Sequence, residues 1–245
     1  MIIDVHSHIG PSWYGWWKNE VTEEDFIKTM DKHGIDKACV NYWSIQSEQE
    51  TGNDKIAKFA ERYPDRIIPW GVIIPRWDNA LEEVERCFKK LKVKGLKLHP
   101  SANSYHANSP VVFPVVEKAI EFGLPMLFHS GHDEYSHPHN LGDLAKRYPA
   151  ATTIMGHTGE EAIFEGIETA RQHDNIYIDT TGSLNLYHIM HRAVNRVGED
   201  RIVFGTDFVA CNPGPEIAKV KNVDLPDRVI SKIMGENVAK LLKIN

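Results

Sequence analysis

Eight short apolar runs that alternate with helix-like segments constrain the fold of this 245-residue chain more than any other feature. The runs cover residues 2–8, 37–43, 66–73, 93–99, 124–129, 152–157, 175–179 and 201–207. Within them the apolar residues are nearly continuous rather than alternating, which is typical of parallel strands covered on both faces. The pattern therefore predicts parallel strands joined by helices.

The segments between the runs carry signals for where helices begin and end. Thr22 and Asp25 form a capping box before the first helix, and Gly34 is placed to end it. Ser109 and Pro110 open a later helix, although the proline at position 114 favours a start about four residues further on. No Gly-, Ser- or Pro-rich linker divides the chain. We therefore predict an α/β fold, a single-domain (β/α)8 (TIM) barrel spanning residues 1–245, with its site at the carboxyl ends of the strands.

Charge and cysteine content exclude several classes of protein. The net charge is −6 and the sequence pI is near 6.1, so we expect neither nucleic acid nor an anionic membrane surface as a partner. Cys39, Cys87 and Cys211 are widely separated, which predicts neither a disulfide framework nor a thiolate metal site. A chain with no signal peptide and no run of bilayer-spanning length is expected to be a soluble cytoplasmic protein.

Titratable side chains collect at the ends of the predicted strands. His6 and His8 project to one face of the first strand, so their imidazoles can converge on a metal ion, although an isolated His-x-His pair is more often structural. Other strand ends continue the pattern, so four strands end in histidine and the last ends in aspartate. These residues are Lys97, His99, His129, His157, Asp179 and Asp207. Together they indicate a metal-dependent site.

These motifs resemble those of the amidohydrolase superfamily, and within it the branch that includes the aminocarboxymuconate-semialdehyde decarboxylase type. The resemblance rests on "DVHSHIG", "GLKLHP", "LPMLFHSG", "IMGHTG", "IYIDTTG" and "DRIVFGTDF", and it runs along the whole chain. It implies one divalent ion held by His6, His8, His129 and Asp207, with His157 beside the ion. Zinc is the preferred ion, and manganese, iron and cobalt are the alternatives. The resemblance also implies that Asp207 exchanges a proton and that His157 orients the attacking group or polarises the substrate.

Lys97 and His99 share one face of the fourth strand and leave two alternatives open. In two-metal members of the superfamily, the lysine at this position is carboxylated and bridges the ions. We prefer a single ion, with Lys97 or His99 lining the pocket. A purely structural amine is an equally good interpretation of Lys97.

Four further residues are candidates for the surroundings of the site. Asp4 and Asp179 are placed to hold a metal ligand through a hydrogen bond, although a structural role is nearly as good an explanation. Trp13 follows the first strand, so it is predicted either to form a wall of the pocket or to pack in a plug or subunit contact. Arg76 follows the third strand and is either a bidentate anchor for a substrate carboxylate or an ordinary surface residue.

Three functions are compatible with these residues. The preferred one is a metal-dependent hydrolase that cleaves an amide, ester or lactone bond of a small molecule by attack of metal-bound hydroxide. The alternative is a metal-dependent lyase, either a non-oxidative decarboxylase or a hydratase of a small unsaturated or aromatic carboxylic acid. The third is a non-catalytic metal-binding module. A small-molecule substrate is the expected partner, and homodimer formation is left open.

Overall fold

The computed structural model describes residues 1–11, 21–43, 49–182 and 187–244. In this part of the chain, eight strands form one sheet in sequence order, and every neighbouring pair is parallel. The strands are β1 (Ile3–Ile9), β2 (Lys37–Tyr42), β3 (Ile67–Val72), β4 (Gly95–Leu98), β5 (Met126–Phe128), β6 (Thr153–Met155), β7 (Ile176–Asp179) and β8 (Ile202–Val203).

Helices lie between the strands, as the alternating pattern predicts. They are α1 (Glu23–His33), α2 (Gln49–Arg62), α3 (Ala80–Lys89), α4 (Pro100–Asn103), α5 (Phe113–Phe122), α6 (Pro138–Arg147), α7 (Ile163–Gln172), α8 (Tyr187–Val197), α9 (Pro213–Lys221), α10 (Asp227–Ser231) and α11 (Asn237–Leu242). The segment Gly156–Ala162 is a pair of tight turns separated by a kink, Glu199–Arg201 forms a 3-10 helix, and Lys232–Glu236 forms a π-helix. None of the described helices has the length and apolar character needed to span a membrane.

The segment that follows β8 returns to β1 and closes the barrel. The backbone N–H of Val5 donates to the carbonyl of Phe204 at 2.9 Å, and that of Asp207 donates to the carbonyl of His6 at 2.7 Å. Ser7 and Phe208 form a parallel bridge in the same region. The predicted (β/α)8 barrel is therefore confirmed, with the last and first strands joined by the stretch of chain that carries Asp207.

The predicted helix ends are also confirmed. The hydroxyl oxygen of Thr22 accepts a hydrogen bond from the backbone N–H of Asp25 at 3.1 Å, and Gly34 ends α1 with a left-handed φ of 67°. Helix α5 begins at Phe113, so Pro114 lies in its first turn. A proline is tolerated there because the first backbone N–H groups of a helix have no partner within it.

A small apolar cluster fills the barrel beneath its carboxyl end. It collects side chains from six strands, and they include Ile3, Val5, Cys39, Trp70, Leu127, Ile154 and Val203. The larger apolar cluster, which includes Val40, Leu96 and Phe128, packs the opposite faces of the strands against the helices. Above the small cluster, the buried polar residues His6, His8, Lys97 and Asp179 lie toward the carboxyl ends of their strands, where sites form in this fold.

Candidate metal centre and active site

A cavity of about 300 Å³ opens at the carboxyl end of the barrel. Its walls come from residues that follow or end six of the strands, which is where sites form in this fold. The lining consists of His6, His8, Trp43, Lys97, His99, Ser101, Ala102, His129, His157, Glu160, Asp207 and Ala210. The structure therefore brings most of the predicted strand-end residues into one chamber.

His6, His8 and Asp207 form a compact group of donor atoms in this cavity. One ligating atom from each lies within 4.8 Å of the other two. The Nε2 of His8 is 2.9 Å from Oδ1 of Asp207, and the Nε2 of His6 is 3.6 Å from the same oxygen. Imidazole and carboxylate ligands at these separations suit a divalent transition metal.

An irregularity in β1 aims the two histidines into the cavity. Ile3 and Val5 belong to the interior apolar cluster, whereas His6 and His8 line the chamber above it. Along β1, the side chains that face the barrel interior thus change from odd-numbered to even-numbered residues. The register of β1 against β2 shifts between Asp4 and Ser7, where this change occurs. A local register shift of this kind redirects side chains at the rim of a barrel.

Hydrogen bonds on the far side of each ring orient these histidines. The Nδ1 of His6 lies 2.7 Å from Oδ2 of Asp179, and the Nδ1 of His8 lies 2.8 Å from Oδ1 of Asn41. Both oxygens accept, so each Nδ1 donates and each Nε2 is left with its lone pair. The amide of Asn41 is held by its own bond to the carbonyl of Ser7 at 3.3 Å. Such partners set the tautomer and direction of metal-binding histidines.

The pairing of His8 with Asp207 supplies a test of whether a cation fits. Burial lowers the pKa of His8, which keeps the ring neutral. Burial alone would raise the pKa of Asp207, but the His8 hydrogen bond and nearby positive charge lower it overall, so the carboxylate is ionised. With Nδ1 of His8 donating to Asn41, the Nε2 and the carboxylate are two electron-pair donors 2.9 Å apart, and only a shared proton or a cation can join them. A divalent ion bound between them satisfies both, and the donor set fits it.

Asp4 ties the strand ends together rather than touching an imidazole. Its Oδ1 accepts from the backbone N–H groups of His6 and Thr206, each at 3.0 Å. Its Oδ2 accepts from the hydroxyls of Ser7 and Thr206, each at 2.5 Å. Burial nevertheless raises the pKa of Asp4 to about 6. This carboxyl group holds the backbone of His6 against the segment that carries Asp207.

A second group of donor atoms stands beside the first. The ligating atoms of His129, His157 and Glu160 also lie within 4.8 Å of one another. The ring of His157 is 4.8 Å from that of His6 and 4.9 Å from that of His129, measured between centroids. The predicted ligand His129 therefore lies in the group next to the His6, His8 and Asp207 cluster.

The backbone after β6 is shaped to present His157 and Glu160. His157, Thr158 and Glu160 have φ values of 59°, 51° and 48°, which is the left-handed region. The N–H of His157 donates to Oδ1 of Asp179 at 2.6 Å. Burial lowers the pKa of His157 to about 4, and burial together with the neighbouring Glu161 charge raises the pKa of Glu160 to about 7.

Asp179 forms hydrogen bonds to a histidine in each of the two groups of donor atoms, whereas the sequence predicted that it would hold a single metal ligand. It accepts from the ring of His6 through Oδ2 and from the backbone N–H groups of His157 and Thr181 through Oδ1. Burial raises the pKa of Asp179, against the hydrogen bonds and the charge of Lys97. A single buried carboxyl group therefore sets the positions of two cavity histidines.

The β4 side of the cavity carries Lys97 and His99. The amine of Lys97 is buried and lies 2.8 Å from Nε2 of His6, and burial lowers its pKa to about 8. The Nδ1 of His99 accepts from the backbone N–H of Ala102 at 3.1 Å. Burial, followed by the charge of Lys97, holds the pKa of His99 well below its ordinary value.

Two predicted residues are placed elsewhere. Arg76 is exposed, lies outside the cavity lining, and donates to the backbone carbonyl of Ser104 at 2.8 Å. The prediction for Trp13 falls outside the described residues.

The structure also places Asn41, Trp43 and Glu160 at the site, although the sequence did not predict them there. Asn41 and Trp43 lie at the end of the second apolar run, and Glu160 follows His157 by three positions. Their positions next to predicted strand ends are the sequence signals by which these residues could have been found.

Comparison with known proteins identifies relatives along nearly the whole chain. A family model described as Amidohydrolase matches residues 3–244. The gamma-resorcylate decarboxylase of Polaromonas sp. (strain JS666 / ATCC BAA-500) is 22% identical over 284 residues, covering 89% of this chain and 86% of that protein.

Solved structures share the fold at low identity. The 5-carboxyvanillate decarboxylase of Sphingomonas paucimobilis aligns with a TM-score of 0.80 and 17% identity, over 100% of this chain and 99% of the other. A dihydroxybenzoic acid decarboxylase of Polaromonas sp. JS666, solved with manganese and the inhibitor 2-nitroresorcinol, aligns with a TM-score of 0.82 and 16% identity, over 99% and 96%.

These comparisons correct one prediction. The preferred hydrolase of an amide, ester or lactone bond is wrong, because the curated relative and both aligned structures are named as decarboxylases. The physical reason for the error is that a metal with a neighbouring acid and base can promote either reaction. The residue types at the strand ends therefore do not decide between them.

Proposed function

We propose, from the premise that this chain belongs to the amidohydrolase family, that it is a metal-dependent non-oxidative decarboxylase of a small aromatic or unsaturated carboxylic acid. The family membership confirms the resemblance inferred from the strand-end motifs and makes the chain an enzyme of this superfamily. The observation that carries the proposal is the alignment of 89% of the chain with a curated gamma-resorcylate decarboxylase.

The distribution of charge in the cavity supports a carboxylate substrate. The amine of Lys97 stands on the β4 side beside the neutral ring of His99, whereas the carboxyl groups of Glu160 and Asp207 come from the segments after β6 and β8. An anionic group entering the chamber is attracted toward the first side and repelled from the second. A neutral lactone or amide gains nothing from this asymmetry.

The proposed ligands are His6, His8 and Asp207, with His129 from the adjacent group as the fourth. A divalent ion held there would supply Lewis-acid chemistry, drawing electron density from a substrate oxygen. Manganese is the first ion to test, because an aligned decarboxylase contains it. Zinc, which the sequence favours, is the second.

Decarboxylation requires that the bond between the carboxyl group and its carbon breaks, that carbon dioxide leaves, and that a proton is added to the same carbon. His157 is neutral and next to His6, so it is proposed to accept a proton from a substrate hydroxyl. Asp207, which the sequence indicates as a group that exchanges a proton, is proposed to deliver the proton to the reacting carbon. The carboxyl group of Glu160 has a pKa near neutrality and faces the same cavity, so it can hold the proton between turnovers.

Isotope release tests this proposal directly. Manganese-loaded and zinc-loaded protein would be incubated in D2O with carboxyl-13C-labelled 2,6-dihydroxybenzoate and 5-carboxyvanillate, with His8→Ala as the metal-binding control. The expected result is labelled carbon dioxide and one deuterium at the vacated ring carbon, with both signals absent from the control. Addition of water to an unsaturated acid without loss of label would instead identify a hydratase.

The remaining expectations stay predictions. The whole chain, residues 1–245, is proposed to act as one metal-dependent unit on a small-molecule substrate. Its location in the cytoplasm and its assembly as a homodimer are checked by cell fractionation and by light scattering at several protein concentrations.

A further inference from the structure

The hydrogen bond between His99 and Ala102 defines the tautomer of the His99 ring. A backbone N–H can only donate, so the Nδ1 of His99, 3.1 Å away, must accept and carries no proton. An imidazolium has protons on both nitrogens and cannot make this bond. The ring is therefore neutral with its proton on Nε2, which makes Nε2 a hydrogen-bond donor.

Packing holds the ring of His99 in one orientation at the cavity wall. The ring stacks on that of His129 with 4.0 Å between centroids and 12° between planes. His99 also caps α4 through Nδ1, so rotation of the ring would break that cap. The side chain lines the cavity and remains partly exposed there.

The protonated Nε2 has no lone pair with which to bind a metal. Consistent with this, His99 belongs to none of the groups of converging donor atoms found among the described residues. The cavity lining includes the amine of Lys97 on the same strand end and the hydroxyl of Ser101 in α4, whereas its carboxyl groups, Glu160 and Asp207, come from the segments after β6 and β8. Its surroundings in the cavity are thus suited to an anionic oxygen.

We propose that His99 is a substrate-binding residue whose Nε2–H donates a hydrogen bond to the carboxylate of the substrate. The assignment rests on the proposed decarboxylase function and extends it by placing the carboxylate at the β4 side of the cavity. It replaces the anchoring role predicted for Arg76, whose guanidinium lies outside the lining.

Two substitutions separate the binding role from the capping role. In His99→Asn, the amide oxygen can still cap α4, but the side chain is too short to reach the position of Nε2. In His99→Gln, the amide nitrogen can occupy that position while the cap is lost. His137→Asn is the matched control, because His137 also caps a helix, α6, and lies outside the cavity lining.

The probes are 2,6-dihydroxybenzoate and resorcinol, which differ by the carboxylate alone. The measurement is calorimetric binding to manganese-loaded protein that carries His157→Asn in every case, so that the acid is not converted to resorcinol during the titration. We expect His99→Asn to raise the Kd of the acid about 10- to 100-fold, with little change for resorcinol and little change in Tm. His99→Gln should recover most of the affinity for the acid and lower the Tm. His137→Asn should leave both Kd values unchanged.

Other outcomes decide against the assignment. A loss shared equally by both probes, or a loss in His99→Gln but not in His99→Asn, means that His99 acts only through its cap. Nitrogen-15 NMR of the metal-free protein provides an independent reading, since a protonated Nδ1 on His99 overturns the inference whatever the binding data. Protein with His99 intact that binds the acid no better than resorcinol contradicts the carboxylate contact alone. Absence of labelled carbon dioxide in the isotope experiment contradicts the decarboxylase proposal itself.

Discussion

The Nδ1 of His6 lies 2.7 Å from Oδ2 of Asp179, a contact that joins the first strand of the barrel to the seventh. It points the Nε2 of His6 at Asp207 and fixes the tautomer that a metal requires. Asp179→Asn places an amide among three donors that all need an acceptor. We expect this variant to bind manganese 10- to 100-fold more weakly, as measured by competition with a fluorescent chelator. Unchanged affinity would show that the ring of His6 is oriented by other contacts.

Loss of the hydrogen bond from His8 to Asn41 should also weaken metal binding, but by less than loss of His8 itself. Removing its oxygen in Asn41→Ala leaves His8 as a ligand but frees the ring to rotate, so a loss of about tenfold in metal affinity is expected. His8→Ala removes the ligand itself and should leave no tightly bound ion after gel filtration. Elemental analysis of both variants, beside the wild type, measures the difference. Equal losses in the two variants would contradict the distinction between ligand and orienting residue.

His157 and His129 are predicted to separate catalysis from metal binding. His157→Asn should retain the ion and lose roughly 10²- to 10⁴-fold in kcat, since asparagine hydrogen-bonds but does not accept a proton near neutral pH. His129→Asn should lose the ion and the activity together. Metal content and kcat are measured on the same preparations. Loss of the ion from His157→Asn would make His157 a ligand, in the manner of its group with His129 and Glu160.

Substitution of Lys97 distinguishes a site that binds one metal ion from a site that binds two. Its amine lies 2.8 Å from Nε2 of His6, the atom that must bind the metal, so the ammonium competes with the ion and repels it. Lys97→Met should therefore bind one ion per chain, as the wild type does, with an affinity raised about tenfold or more. Titration followed by elemental analysis gives both numbers. Two ions in the wild type and one in the variant would instead support a carboxylated lysine that bridges two metals.

The raised pKa of Glu160 predicts that the stability of the metal-free protein depends on pH. Burial raises its pKa in the folded state from 4.5 to about 7, so between these values the folded state binds more protons than the unfolded state. Stability contributed by the protonated form is present below pH 4.5 and is lost as the pH rises through 7. Glu160→Gln removes this loss and should be more stable than the wild type at pH 8 by about 1 kcal/mol, after allowance for solvent screening of a half-buried group. Urea denaturation at pH 4 and pH 8 measures it, and an equal difference at both values would contradict the prediction.

The strands, the helix ends and the end of the barrel at which the cavity opens could be predicted, because they depend on apolar runs, on capping residues and on the geometry of parallel strands. Thr22 and Gly34 act within a single helix, and the carboxyl ends of parallel strands meet whatever the loops do. Arg76 shows where this reasoning stops. It lies four residues after the end of β3, on the side of the barrel where the site forms, yet its guanidinium donates to the carbonyl of Ser104, a residue distant in sequence. No local pattern encodes that contact.

The sequence by itself determined that imidazoles and carboxylates would gather at one end of a barrel. They lie at or near the carboxyl ends of parallel strands, and closure of the sheet brings those ends together. Tertiary structure alone decided how they divide into groups and which nitrogen of each ring faces the cavity. Those choices depend on hydrogen bonds between residues far apart in the chain, such as His6 with Asp179 and His8 with Asn41. A tautomer is set by the partner on the far side of the ring, and that partner is known only once the barrel has closed.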